Sequence, residues 1–235
     1  SGMTDSLQMK PRSVFLGGVI LEGGLVLVAV ILGYLLAGQP LLNPIRLDLD
    51  GLATGLAATL PMVAYFVFSL SRFGRNIAGF QRVYRILREI LSKAIIELPG
   101  WKLVVLGMSA GIGEECLFRG VLQPLFEGWL PGVNSILTPE VNAILVTGII
   151  FGLLHALTPT YFIIATLLSI YCGFLVNYTG NLLTPVLAHG LYDAIGFLLL
   201  KRMFVQEAPP AAQSVDENPV PNETPGKEPP APPAD

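Results

Sequence analysis

The chain has 235 residues, 52% of them hydrophobic and 13% charged, with a net charge of −3. A typical soluble domain carries about 25% charged residues, so a mean hydropathy of +0.63 excludes a water-soluble globular enzyme, a coiled coil and a nucleic-acid-binding domain. The remaining charges are unevenly placed, with basic residues flanking the apolar blocks and acidic residues in the C-terminal tail.

Ser1-Gly2 ahead of Met3 reads as a scar left by cloning, and residues 1–13 form a cytoplasmic flank with Lys10 and Arg12. Six apolar segments follow: Val14–Ala37, Leu52–Ser71, Leu103–Phe126, Val141–Leu157, Tyr161–Tyr178 and Leu182–Leu200. Their lengths approach the ~20 residues a membrane-spanning helix needs, and helices satisfy their own backbone hydrogen bonds in lipid. The first segment exceeds the h-region of a signal peptide and no small-residue cleavage site follows, so it reads as a retained span. Val141–Leu157 and Tyr161–Tyr178 are short, and one of them is a candidate for incomplete crossing.

Between the second and third spans, Arg72–Leu98 alternates Arg72, Arg75, Arg82, Arg85, Arg88 and Lys93 with Phe80, Val83, Tyr84, Ile86, Leu87, Ile90 and Leu91. Helical spacing of those apolar positions predicts a basic amphipathic helix at the membrane surface, anchored on anionic lipid. The fold class is therefore all-α: a polytopic transmembrane bundle of about six spans, residues 14–204, plus this surface helix. The excess of Lys and Arg on one side places both termini in the cytoplasm, leaving Arg46, Asp48, Asp50, Glu127 and Glu140 on the other. Residues 205–235 form an acidic, Pro-rich tail with no apolar surface to bury, expected to be disordered. Cys116 and Cys172 both lie in apolar blocks and read as reduced small hydrophobes rather than a disulfide.

Ionisable groups inside a bilayer cost at least about 2.5–3.5 kcal/mol each, which makes each one a functional candidate. This chain places Glu22 in the first span, Glu114, Glu115 and Arg119 in the third, His155 in the fourth, and His189 and Asp193 in the sixth. Its only two histidines are both among them. Glu115 and Arg119 are i and i+4, as are Phe151 and His155, and His189 and Asp193, so each pair shares a helix face. Glu114 is turned about 100° from Glu115. Three helices can thus aim Glu114, His155 and His189 at one cavity, with Arg119 neutralising one of the adjacent carboxylates.

A carboxylate beside an imidazole takes a proton from water and needs no covalent intermediate. A second imidazole with a polar neighbour can stabilise the oxyanion. This set describes a water-activated peptide hydrolysis site. No G-x-S-x-G string is present, and Cys116 points away from the glutamates. Glu with two His can also bind zinc, although the H-E-x-x-H string is absent, so zinc at the same residues is the alternative to no cofactor. Interhelical hydrogen bonding explains Glu22 well, because it has no obvious partner, and adjacent Glu114-Glu115 poorly. A non-catalytic membrane partner and a proton or ion carrier are the remaining alternatives.

Glu114-Glu115-Cys116-Leu117-Phe118-Arg119 reads E-E-x-x-x-R, Phe151 to His155 reads F-x-x-x-H, and His189 to Asp193 reads H-x-x-x-D. In this order on three apolar spans they resemble the CPBP family of intramembrane proteases, which includes the CAAX prenyl endopeptidases and the bacterial Abi proteins. The resemblance covers about Leu103 to Leu200. It implies an intramembrane glutamic endopeptidase acting on a membrane-associated protein or peptide, with Glu114 as the water-activating base and His155 its partner. His189 and Asp193 are implied as the oxyanion-stabilising pair, and Glu115, Arg119 and Phe151 as supporting residues. The last position is commonly Asn in the CAAX-processing branch. An ionised Asp accepts hydrogen bonds without donating, so Asp193 is expected to orient His189 rather than touch the oxyanion.

Overall fold

The computed structural model describes residues 11–207, and among these eight α-helices and no strand occur. They are α1 (Pro11–Ala37), α2 (Leu49–Leu70), α3 (Ala78–Glu97), α4 (Gly100–Leu117), α5 (Gln123–Trp129), α6 (Pro139–Leu154), α7 (Pro159–Thr179) and α8 (Leu183–Gln206). All six expected spans are helices. α1, α2, α7 and α8 are each long and apolar enough to cross a bilayer, while α6 is shorter, at 16 residues. α4 and α5 join through a π-helical segment, Phe118–Leu122, so the third span is one helical run from Gly100 to Trp129, longer than the expected Leu103–Phe126.

Local chemistry sets the boundaries. The Asp48 carboxylate accepts from the Gly51 amide and starts α2, and Thr138 and Thr158 cap α6 and α7 in the same way, each followed by proline at the first helical position. α7 stops at Gly180, which adopts φ 57°, a left-handed conformation that glycine reaches without a Cβ penalty. Asn181 then locks the turn: its amide donates to the Arg46 carbonyl, and its oxygen accepts from the Arg46 amide.

α8 lies at the centre, packed along α4 and α2, with α1 on the far side of α4 and the α6–α7 pair beside α5. Small residues bring α4 and α8 together: a Cβ on Gly107 would lie 2.3 Å from the Ala194 amide, and one on Gly111 would lie 2.5 Å from that of Gly190. Where lipid competes equally well for apolar side chains, such close backbone approach is what holds helices together.

The amphipathic segment corresponds to α3, preceded by a short 3₁₀ turn at Gly74–Asn76. Its apolar face is occupied by the bundle, a use the lipid-anchor reading did not foresee. Ile95 and Leu98, with Tyr84, Leu87 and Leu91, pack against Leu103, Leu200 and Phe204. Basic residues collect at this end. Arg75 and Arg88 pair with Glu207 at the end of α8, Lys201 donates to the Leu98 carbonyl, and Lys102 lies over the Phe15 ring of α1. α8 continues to Gln206, past the expected start of the tail at 205. Ser1-Gly2, expected to be a scar, Lys10 and the tail from 208 onward lie outside the described residues.

Candidate active site

Beyond Glu114 and Glu115 the helix ladder widens into the π segment. π turns leave carbonyls without their α-helical partners, and here the α1–α2 connection supplies them: Asn43 donates to the Arg119 carbonyl at 2.7 Å, and the Leu42 amide to that of Gly120 at 2.8 Å. Arg119 sits inside this segment, 1% exposed, beside Glu115 at 0%. Its guanidinium donates to Glu115 Oε1 at 3.0 Å and to both the carbonyl and the hydroxyl of Ser169 on α7. The expected i,i+4 pairing is present, and Ser169 is an added partner that nothing in an apolar span singled out.

The third motif joins the first. His189 Nδ1 donates to Glu115 Oε1 at 2.7 Å, while its Nε2 lies 3.4 Å from Asp193 Oδ2 and 3.7 Å from Glu114 Oε2. One imidazole thus faces three carboxylates. Glu115 was expected to pair with Arg119, and its bond to His189 makes it the link between α4 and α8 as well.

His155 lies just beyond α6 rather than within a span. Its Nδ1 donates to the Phe151 carbonyl at 2.9 Å, occupying the acceptor that the residue 155 amide would use in a continuing helix. That amide turns instead to the Gly152 carbonyl. The imidazole thereby caps its own helix and, because a carbonyl only accepts, Nδ1 carries the proton and Nε2 is left to face inward. Nε2 is 3.6 Å from Glu114 Oε1. The ring stacks on Phe151 at 4.3 Å and 18°, and Phe151 in turn meets Phe118 edge-on and lies 5.4 Å from the Arg119 guanidinium. Phe151 therefore serves as a shelf for the histidine.

These groups line one cavity of about 430 Å³. Its walls include Glu22, Tyr161 and Tyr192, along with Leu87 and Leu91 of α3 and a broad apolar surface from α2, α7 and α8. Tyr161 and Tyr192 were not expected from sequence, since a tyrosine in a span has several ordinary uses. Glu22, expected as a structural hydrogen-bond former, has its Oε2 buried with no partner. Cys116 and Cys172 are free and buried in apolar clusters. Among the described residues, no group of three or more His, Cys, Asp or Glu side chains is placed to hold a metal ion.

Residues 96–195 match the family model described as type II CAAX prenyl endopeptidase Rce1-like. The matched segment is similar to a CAAX-protease domain. It takes in all three motifs, whereas α1, α2 and most of α3 lie outside it. No curated protein and no solved structure matches the chain. Together with the long apolar helices, the match supports an integral-membrane protein similar to CAAX-protease-like peptidases.

Proposed function

We propose that the chain is an intramembrane glutamic endopeptidase that cleaves a membrane-associated peptide or protein with water activated by Glu114 and His155, without a metal. The observation that carries this reading is the position of the Glu114 carboxylate, 3.6 Å from His155 Nε2 and 3.7 Å from His189 Nε2. Both separations exceed a direct hydrogen bond and suit groups that share a water between them. Glu114 takes the water proton, with His155 Nε2 accepting a hydrogen bond from the same water. The hydroxide equivalent adds to the scissile carbonyl. His189, as an imidazolium facing three carboxylates and held through Nδ1–H by Glu115, donates from Nε2–H to the developing oxyanion, and Asp193 orients the ring. Glu115 and Arg119 neutralise one another and leave Glu114 free for the reaction.

The basic end of the bundle is assigned to the cytoplasm, following the excess of Lys and Arg there. Nothing among the described residues favours a zinc peptidase, a proton carrier or a non-catalytic partner over this reading.

The test uses the purified full chain in detergent micelles with a fluorescence-quenched farnesylated C-a-a-X peptide. Glu114→Ala and His155→Ala abolish cleavage while the proteins keep their elution volume and melting temperature, and EDTA leaves the rate unchanged. Turnover that survives in Glu114→Ala overturns the mechanism, and loss of turnover in EDTA overturns its metal independence.

A further inference from the structure

Only three residues of α1 are fully buried: Glu22, Ala29 and Gly33. One of the three is an acid. Glu22 is 9% exposed and lines the same cavity as Glu114, His155, His189 and Asp193. The approach is close because the facing residue is glycine. A Cβ on Gly113 would lie 2.6 Å from both the Glu22 carbonyl and its Oε2, so the carboxyl group rests on the α4 backbone immediately before Glu114. Its Oε2 is buried and makes no hydrogen bond. A polar atom buried without a partner loses its hydrogen bonds to water and gains none in return. A helix that serves only to hold the bundle has no need of that cost, and an alanine here would pack without it.

The reaction has a vacancy for such a group. Glu114 accounts for the proton that leaves water, but the departing amine also needs one. We propose that Glu22 is the catalytic acid that protonates the leaving nitrogen, an assignment that rests on Glu114 being the water-activating base. Water adds to the carbonyl carbon and its proton passes to Glu114. The C–N bond then breaks, its electron pair goes to nitrogen, and nitrogen takes the proton of the Glu22 carboxyl group. Glu22 recovers a proton from Glu114 through the cavity, so the products are a carboxylic acid and an amine and both glutamates return to their starting forms. The division of labour places the base on α4, within the matched segment, and the acid on α1, outside it.

The experiment compares Glu22→Gln with the unsubstituted full chain on two substrates. One is the farnesylated C-a-a-X peptide; the other is its thioester analogue, with sulfur in place of the scissile nitrogen. A thiolate, with a conjugate-acid pKa of about 8.5, departs without a proton. Glu22→Gln is expected to lower kcat on the amide by about 10²-fold and to leave the thioester rate and both KM values near those of the unsubstituted chain. Equal slowing on both substrates makes Glu22 a structural residue and overturns the proposal, as does an unchanged amide rate. Glu114→Gln provides the separate control. It should slow both substrates, and if it slows neither, the Glu114 reading fails independently of Glu22.

Discussion

His189 Nδ1 donates to Glu115 Oε1 across 2.7 Å, and the same carboxylate oxygen accepts from Arg119 at 3.0 Å. Two helices are joined at one buried atom. Through Ser169, the guanidinium extends the chain of bonds to α7, so the imidazole at 189 is fixed by contacts on three helices before any substrate enters.

Glu115→Gln tests that junction. It keeps the shape and removes the negative charge, leaving the fully buried Arg119 uncompensated. Breaking a buried pair from one side costs about 3–5 kcal/mol, so the variant should melt well below the unsubstituted chain in detergent and lose cleavage. A melting temperature within error of the original would show that Arg119 finds its compensation elsewhere.

Gly111→Leu should separate α4 from α8. Its Cβ would lie 2.5 Å from the Gly190 amide and 2.8 Å from the Val186 carbonyl, both backbone atoms that cannot rotate away. Overpacking of this kind costs about 1–3 kcal/mol or more. Because Gly190 adjoins His189, cleavage should fall further than stability. Gly24→Ala is the matched control on α1, where an added Cβ meets nothing within 4 Å. Its melting temperature and turnover should be unchanged.

Glu207 predicts an acid limit to the clamp between α3 and α8. Burial acts to raise its pKa, but hydrogen bonds from Arg75 and Tyr84 and the positive charges of Arg75 and Arg88 outweigh it and hold the carboxyl below its ordinary value of 4.5. A depressed folded-state pKa contributes stability above the unfolded value, and that stability is lost as pH falls through the folded one. The clamp is therefore intact at neutral pH and fades below about 4.5. Both arginines are more than a third exposed, so solvent screening limits the contribution to about 1 kcal/mol. Glu207→Gln should lower the melting temperature slightly at pH 7, by an amount that shrinks as the pH is taken progressively below 4.5, as read by thermal denaturation in detergent. An effect that does not shrink with falling pH removes the electrostatic explanation.

Six apolar blocks and one basic amphipathic segment were legible because bilayer crossing and helical amphipathicity are written in local composition. The motif residues stood out because ionisable groups in lipid are costly enough to be rare. Other features were hidden for identifiable reasons. The π segment depends on Leu42 and Asn43 satisfying carbonyls of another helix, a relation with no local signature. Ser169 looks like any small polar residue in a span until Arg119 reaches it. The position of His155 just outside α6 follows from its side chain taking the Phe151 carbonyl, which i,i+4 spacing suggests but does not require.

Glu22 marks the boundary between the two kinds of information. Hydropathy alone established that an acid lies inside the first span, since burying any charge in lipid has a cost that does not depend on the fold. Which way that acid points was decided by Gly113, whose missing Cβ lets α1 and α4 approach closely enough to bring the carboxyl group into the cavity. In the same way the sequence determined that Glu115 and Arg119 share a helix face. Only tertiary packing decided that Glu115 would also hold His189, 74 positions away, because helix period fixes neighbours within a helix and close packing chooses the neighbours between helices.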